Sequence, residues 1–212
     1  MFSMKFSVFL LVMAGALSYA SRTSKYTIGD KVEDFALRNV DGRMVSLSSY
    51  SAAEGVIIVF TSLHCPYAEM YEDRIIQLHK KYAPKGYPVM AINPTNPLLF
   101  PENSYEHMRA RAKAKRYPFA YLQDSTQVVC TRFGASRTPH VFLLDRARII
   151  RYIGSIDDNP ENPRAVKKRY LEDAIAALLR GERPNPEITQ SIGCPIRIPK
   201  QKPSADTAAS RR

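Results

Sequence analysis

Cys65 is the residue of this sequence whose position most clearly suggests chemistry. It lies in the segment TSLHCPYAEM (61–70), between an apolar run and a segment with helical spacing. A thiolate at the start of a helix faces unpaired N–H groups and the positive end of the helix dipole, and both lower its pKa. We therefore predict that Cys65 is a nucleophile. The adjacent His64 either is a loop side chain turned to solvent or assists Cys65 when protonated. An inert buried cysteine is the alternative.

The elements that position Cys65 follow from hydrophobic periodicity. GVIIVF (55–60) predicts a strand covered on both faces, and residues 66–82 place apolar side chains on one face of a helix. Pro66 suits the first helical position, where its missing N–H would have no partner. Further strands are predicted over 87–93, 119–122, 140–145 and 148–153, and further helices over 104–115, 125–133 and 163–181. This alternation predicts an α/β fold, and the pair Asp41-Gly42 predicts an N-terminal β-hairpin at one edge of its sheet.

The two ends of the chain are predicted to lie outside this domain. Lys5, an apolar run and the small residues before Ala20 predict a signal peptide over 1–20 that is cleaved after Ala20. The alternative is a membrane anchor, but the run of about 12 apolar residues is shorter than the roughly 20 that a bilayer span needs. We expect a secreted or periplasmic protein without a stable membrane span after cleavage. The remaining boundaries are a linker over 21–30, the domain over 31–181 and an extended tail over 182–212.

The charge of the chain is strongly positive but does not indicate a nucleic-acid partner. The formal net charge is +11, which favours acidic partners or anionic surfaces. Many of the positive residues fall in predicted helices and in the tail, where solvated faces account for them. Zinc-finger spacing, an aromatic ribonucleoprotein motif and a phosphate-binding glycine loop are all missing from the sequence. We therefore expect no nucleic-acid binding, no metal and no cofactor.

Cys65 and the later pair Thr138-Pro139 together resemble the thioredoxin fold. In that fold a reactive cysteine opens the first long helix and a cis-proline loop lies against its sulfur. The ordered segments FTSLHCPYAEMYEDRIIQLHKKYAPKGYPVMAIN, PENSYEHM, ASRTPHVFLLD, IRYIGSIDDNP and SIGCPI resemble the peroxiredoxin-like branch of the alkyl hydroperoxide reductase/thiol-specific antioxidant (redoxin) superfamily over about 26–198. This resemblance implies a central mixed β-sheet flanked by helices and an antioxidant thiol oxidoreductase.

Departures from the family pattern bear on which thiol resolves Cys65. Ala68 stands where thioredoxins carry the second cysteine of C-x-x-C, and Ser62 stands where many peroxiredoxin-like chains carry a cysteine. Cys65 therefore works alone or with a distant thiol. Cys194 is the candidate, because relatives carry a GC near this place and the surrounding Pro/Gly tail can approach another surface. A structural disulfide is the alternative for that pair, and Cys130 is interpreted as a small buried hydrophobic residue.

The resemblance also implies a substrate pocket around Cys65. Peroxiredoxins polarise the peroxide bond with a threonine hydroxyl and with an arginine on a neighbouring strand. Ser62 can supply the hydroxyl, whereas Pro139 occupies the place of the arginine and Arg137 is the nearby arginine. The pocket is then expected to be lined by Ser62, His64, Arg137, Thr138 and Pro139. The expected substrate is a small peroxide or a protein disulfide, and an external thiol is the expected reductant.

Two other functions stay open for the same fold. One is a copper chaperone, because His64, Cys65, Met70 and His140 are soft or borderline ligands. Such chaperones resemble C-x-x-x-C, however, and the fifth position here is Glu69. The other is a non-catalytic binding module for an acidic partner, an alternative favoured by the loss of both local partner cysteines.

Overall fold

The computed structural model describes residues 25–198. The predicted signal peptide, the first part of the predicted linker and the end of the tail lie outside the described residues. Within 25–198, no helix is both long enough and apolar enough to cross a membrane.

A mixed sheet of seven strands forms the centre of the domain. Its order is β2-β1-β5-β4-β3-β7-β8, in which β3, β4 and β5 are parallel and the other pairs are antiparallel. These strands are β1 (Ala36–Asn39), β2 (Met44–Ser46), β3 (Gly55–Phe60), β4 (Val89–Asn93), β5 (Ala120–Gln123), β7 (His140–Asp145) and β8 (Ile150–Gly154). A second, two-stranded sheet pairs β6 (Arg137–Thr138) with β9 (Cys194–Pro195).

Within residues 25–198, four α-helices accompany the sheet: α1 (Pro66–Tyr82), α2 (Tyr105–Lys115), α3 (Val128–Phe133) and α4 (Tyr170–Leu179). All six residues of β3 are buried, because side chains on both of its faces enter a core. One core contains Val129 and Phe133 of α3, and the other contains residues of α1 and α4. The α/β prediction, with a central mixed sheet and an N-terminal hairpin, is therefore confirmed.

The start of the last helix differs from the sequence prediction. α4 begins at Tyr170, whereas helical spacing predicts a start at 163. Pro163–Ala165 form a 3-10 turn, and Val166 is extended. The segment that follows is held by the loop after β8, since Lys167 N donates to Asp158 Oδ1 and Asp158 N donates to the Lys168 carbonyl. These local bonds compete with the intrahelical bonds that a longer helix would need.

The segments that precede and follow the sheet in the sequence both contact the domain. Residues 25–30 were predicted to belong to a linker, yet Tyr26 N donates to the Arg132 carbonyl and Gly29 N donates to the Ile150 carbonyl. We call residues 187–198 the strap. Its first part lies beside β8, where Ile153 N donates to the Glu187 carbonyl and Thr189 N donates to the Ile153 carbonyl. The strap then continues to β9.

Candidate active site

Cys65 is the residue immediately before α1. Its backbone is extended, Pro66 occupies the first helical position as predicted, and the Cys65 carbonyl accepts the Glu69 N–H at 3.0 Å. The side chain is buried, with 2% of its surface exposed. The chain therefore places this sulfur at the positive end of a long helix and shields it from most of the solvent.

The loop that contains Thr138 and Pro139 lies against the sulfur. The Thr138-Pro139 peptide bond is cis, and the Cys65 Sγ–H donates to the Thr138 carbonyl at 2.9 Å. The hydroxyls of Ser62 and Thr138 are 3.2 Å apart and hydrogen-bonded to each other. Four sequence-predicted residues, Cys65, Ser62, Thr138 and Pro139, thus meet at one place.

Cys194 also reaches this place, on the strap. β9 pairs with β6 so that Cys194 lies opposite Thr138 and Pro195 lies opposite Arg137. Thr138 is also the residue whose carbonyl accepts from the Cys65 thiol, and Cys65 and Cys194 line the same cleft. Both cysteines are free thiols. The two residues are distant in sequence, yet their sulfurs are neighbours.

The two thiols differ in acidity. Burial raises the pKa of Cys65, but hydrogen bonds from Cys194, from Thr138 and from the Ala68 and Cys194 backbone N–H groups outweigh burial, so that the pKa is lowered. Burial and the adjacent Cys65 sulfur raise the pKa of Cys194 to about 11. Cys65 therefore loses its proton first, and Cys194 retains a proton that it donates to the Cys65 thiolate.

A cleft of about 260 Å³ opens beside the two sulfurs. The exposed side chain of His64 lines it, as do residues from three further segments: Thr95, Phe100, Glu102, Asn103, Gln127, Pro195, Ile196 and Arg197. Because Cys65 is almost fully buried, this cleft is its described opening to solvent. Its size suits a small molecule.

Arg137 differs from its predicted place among the pocket residues. Its side chain is exposed, does not line the cleft, and donates through Nη1 to the Gly193 carbonyl at 2.8 Å. Successive side chains on a strand point to opposite faces, so Thr138 faces Cys65 while Arg137 faces away. Arg137 therefore binds the strap, and within residues 25–198 no arginine or lysine hydrogen-bonds the Cys65 sulfur.

Two buried amides that support the site were not predicted for this purpose. Asn103 Oδ1 accepts the Leu63 N–H at 3.0 Å and so fixes the turn before Cys65. Gln127 Nε2 donates to the Pro94 carbonyl at 2.8 Å and to the Arg197 carbonyl at 2.9 Å. The sequence gives no signal for these roles, because the bonds of both amides run to residues far away in sequence.

The remaining sequence candidates lie outside this cluster. Cys130 is fully buried, and burial raises its pKa to about 12. His140 is buried beside the cis-proline and accepts the Ser136 N–H, while Met70 is exposed on α1. Among the described residues, no three His, Cys, Asp or Glu side chains form a group that could hold a metal ion. The geometry of the described part offers no support for the copper alternative.

A profile of the AhpC/TSA family matches residues 28–153, more than half of the sequence. This chain belongs to the AhpC/TSA family. The matched part of this redoxin contains Cys65, Thr138 and Pro139, whereas the strap with Cys194 follows it. As a member of the family, this redoxin is a thiol oxidoreductase with a thioredoxin-like fold.

Known proteins agree with this assignment. The thiol-disulfide oxidoreductase ResA of Geobacillus thermodenitrificans is 25% identical over 146 residues, which cover 66% of this redoxin and 79% of that relative. A hypothetical protein from Sinorhizobium meliloti 1021 has a solved structure that is 32% identical, with a TM-score of 0.77 and coverage of 84% and 97%. An uncharacterized conserved protein from Geobacillus kaustophilus is 36% identical, with a TM-score of 0.76 and coverage of 83% and 94%. The similarity to both structures extends well beyond the matched family region.

Proposed function

We propose that this redoxin is a thiol–disulfide oxidoreductase whose redox pair is Cys65 and Cys194. The observation that carries the proposal is the placement of Cys194 opposite Thr138, whose carbonyl accepts from the Cys65 thiol, so that both cysteines line one cleft. The pKa is lowered at Cys65 and raised at Cys194, which agrees with this arrangement. The Cys65 thiolate would attack the substrate, and the protonated Cys194 beside it would then resolve the mixed disulfide on Cys65. The name of the ResA relative supports a disulfide as the substrate and a thiol as the second partner.

In the first step the Cys65 thiolate attacks one sulfur of a substrate disulfide, R–S–S–R′. A Cys65–S–S–R bond forms, the substrate S–S bond breaks, and R′–S⁻ leaves and takes a proton from solvent. The Thr138 hydroxyl and the Cys194 thiol stabilise the attacking thiolate as hydrogen-bond donors. Asn103 acts as a positioning residue, because it fixes Leu63 two residues before Cys65.

In the second step Cys194 attacks the Cys65 sulfur. The pKa of Cys194 is raised by burial and, in addition, by the negative charge on Cys65. The first step removes that charge, so the Cys194 thiol becomes easier to deprotonate. Its proton passes to the departing R–S⁻, a Cys65–Cys194 disulfide forms, and two electrons have moved from the dithiol to the substrate. Two external thiols then reduce the pair: the first forms a mixed disulfide with one cysteine, and the second attacks that bond and leaves with the first as a disulfide.

A small peroxide is the second candidate substrate. The hydrogen-bonded hydroxyls of Ser62 and Thr138 favour it, since they offer donors beside the sulfur that could polarise an O–O bond. Cys65 would then become a sulfenic acid with release of an alcohol or water, and attack by Cys194 would release water and form the same disulfide. Among residues 25–198, no arginine or lysine hydrogen-bonds the Cys65 sulfur, and this favours the disulfide substrate over a peroxide.

Export is part of the proposal and rests on the sequence alone. A signal peptide over 1–20 would deliver the chain to an oxidising compartment, where dithiol–disulfide exchange is the ordinary chemistry of paired cysteines. Sequencing the N-terminus of the protein recovered from its native host should find Ser21 as the first residue. An intact N-terminus there would contradict the export proposal.

The experiment that tests the reaction is peptide mapping by mass spectrometry after one equivalent of 2-hydroxyethyl disulfide is added to the reduced protein. We expect a Cys65–Cys194 disulfide, a mixed disulfide held on Cys65 in Cys194→Ser, and no reaction at the site in Cys65→Ser. Cys130→Ala is the matched control and should behave as the wild type. Reaction with hydrogen peroxide alone would support the second candidate, and an unreactive Cys65 in both assays would contradict the proposal and favour a binding module.

A further inference from the structure

The strap pairs with the edge of β6, the strand whose Thr138 carbonyl accepts a hydrogen bond from the sulfur of Cys65. Its residues Cys194 and Pro195 pair with Thr138 and Arg137, and Ile196 N donates to the Ser136 carbonyl. Four further bonds fix the strap on either side of β9. They are Arg137 Nη1 to Gly193 O, Gln127 Nε2 to Arg197 O, Ser155 Oγ to Gln190 O and Ser155 N to Thr189 Oγ1.

The strap approaches the domain so closely that glycine is required at two contacts. A Cβ at Gly193 would lie 2.1 Å from the Thr138 carbonyl oxygen, and a Cβ at Gly154 would lie 2.1 Å from Thr189 Oγ1. Real Cβ contacts are never that short, so a side chain at Gly193 would force β9 away from β6. The strap is thus fitted to its place and is not a loosely attached tail.

This edge is also where an extended segment of another protein would have to bind. Such segments add to the free edge of a strand through backbone hydrogen bonds, about 4.8 Å from it. The backbone groups of β6 beside Cys65 are already paired with the strap, and Cys65 is 2% exposed. A substrate of the closed protein must therefore enter through the cleft of about 260 Å³, where a small disulfide can reach the sulfur, whereas an extended protein segment finds no free backbone groups on β6.

We propose that the strap sets the substrate class of this redoxin. In the closed protein, residues 193–196 act as an internal substitute for a peptide substrate, so that Cys65 reacts with small disulfides that fit the cleft. Disulfides within extended protein segments react only when the strap leaves β6. This inference rests on the proposed thiol–disulfide function and adds to it the selection between small and protein substrates.

The test measures how fast Cys65 forms a mixed disulfide in the Cys194→Ser background, where the product is held on Cys65. The two probes are 2-hydroxyethyl disulfide and a disulfide-linked dimer of a short unstructured peptide, each rate being divided by that of free glutathione with the same probe. In the closed protein we expect the small probe to react about tenfold faster than the peptide. Adding Gly193→Ala should raise the ratio of the peptide rate to the small-probe rate by about tenfold, because a change in the Cys65 pKa from the loss of the backbone N–H at position 194 affects both rates equally.

Two further variants keep the outcome clear. Gly181→Ala is the control for backbone strain: at φ +75° alanine is strained, but its Cβ meets no atom within 4 Å, so the strap stays on β6 and both rates should stay as they are. Ser155→Ala removes one strap bond with a smaller change of shape and should raise the peptide rate in the same direction. Equal normalised rates for the two probes in the closed protein, or a peptide rate unmoved by both strap variants, would overturn the inference. Failure of Cys65 to react with either probe would instead overturn the proposed function.

Discussion

At the scale of single residues, the sulfur of Cys65 is stabilised by neutral hydrogen-bond donors. The donors are the thiol of Cys194, Thr138 and two backbone N–H groups, and together they outweigh the burial that raises the pKa. Hydrogen bonds to a charged group are stronger than those between neutral groups. Cys194 therefore has a role before the resolving step, because its thiol stabilises the Cys65 thiolate by hydrogen bonding.

Replacing Cys194 by valine should raise the pKa of Cys65. Valine keeps an apolar cover of similar size over the sulfur but donates no hydrogen bond, so the thiolate loses one of its donors. The pH profile of Cys65 alkylation by iodoacetamide should move to higher pH by about one unit. Cys194→Ser retains a donor and should move the profile less. A profile for Cys194→Val at or below that of the wild type would contradict this account.

At the scale of elements, the loop after β8 is bound to α1 by a buried ion pair. Arg74 Nη1 lies 2.7 Å from Asp157 Oδ2, and their side chains are 15% and 4% exposed. Tyr71 of the same helix donates to Asp157 Oδ1 at 2.7 Å. The loop leads into the segment before α4, so this pair connects the helix that carries Cys65 to the last helix of the domain.

Removing the carboxylate of this pair should destabilise the fold strongly. Asp157→Ala leaves the Arg74 guanidinium buried without its counter-ion, and we expect the free energy of unfolding in urea to fall by about 3–5 kcal/mol. The matched control is Glu182→Ala, which breaks an exposed pair with Arg180 and should leave the free energy of unfolding nearly unchanged. Equal losses in the two variants would show that burial of the Arg74–Asp157 pair does not matter.

At the scale of the whole molecule, hydrophobic clusters pack on both faces of the central sheet, and the buried His140 contacts Phe142 of one of them. His140 follows the cis-proline, and the centroid of its ring is 4.7 Å from that of the Phe142 ring. Burial lowers the pKa of His140 to about 4. In the unfolded chain the same side chain has its ordinary pKa near 6.5. Between these two values the unfolded state binds a proton that the folded state does not.

Stability should therefore fall as the pH falls from about 6.5 to about 4 and stop changing for this reason below that range. The sign follows because a proton bound only by the unfolded state favours unfolding as protons become more abundant. His140 contributes up to about 3 kcal/mol to this loss. Urea titrations at several pH values should give a flatter profile for His140→Asn, whose side-chain oxygen can accept the Ser136 N–H in place of Nδ1. An unchanged profile would exclude His140 as the cause.

Hydrophobic periodicity predicted the sheet, its hairpin and the place of Cys65 at the start of α1. These features depend on residues close together in sequence, such as the buried run of β3 and Pro66. The course of the strap was not predictable in this way. It has no hydrophobic repeat, and it is held by backbone groups, by Arg137 and by the fit of Gly193, all of which become neighbours only after folding. For the same reason Arg137 was expected in the pocket and instead binds the strap.

The closeness of Cys65 and Cys194 has a consequence for the energetics of the whole chain. Under the proposed reaction, oxidation closes a covalent ring that contains most of the described residues, and in the chain-entropy model such a ring stabilises a fold by about 5 kcal/mol. In a thermodynamic cycle, the extra stability of the oxidised fold equals the extra difficulty of reducing its disulfide compared with the same disulfide in the unfolded chain. The gain in thermal stability on oxidation and the strength of the reduced protein as a reductant would then be set by the same free energy.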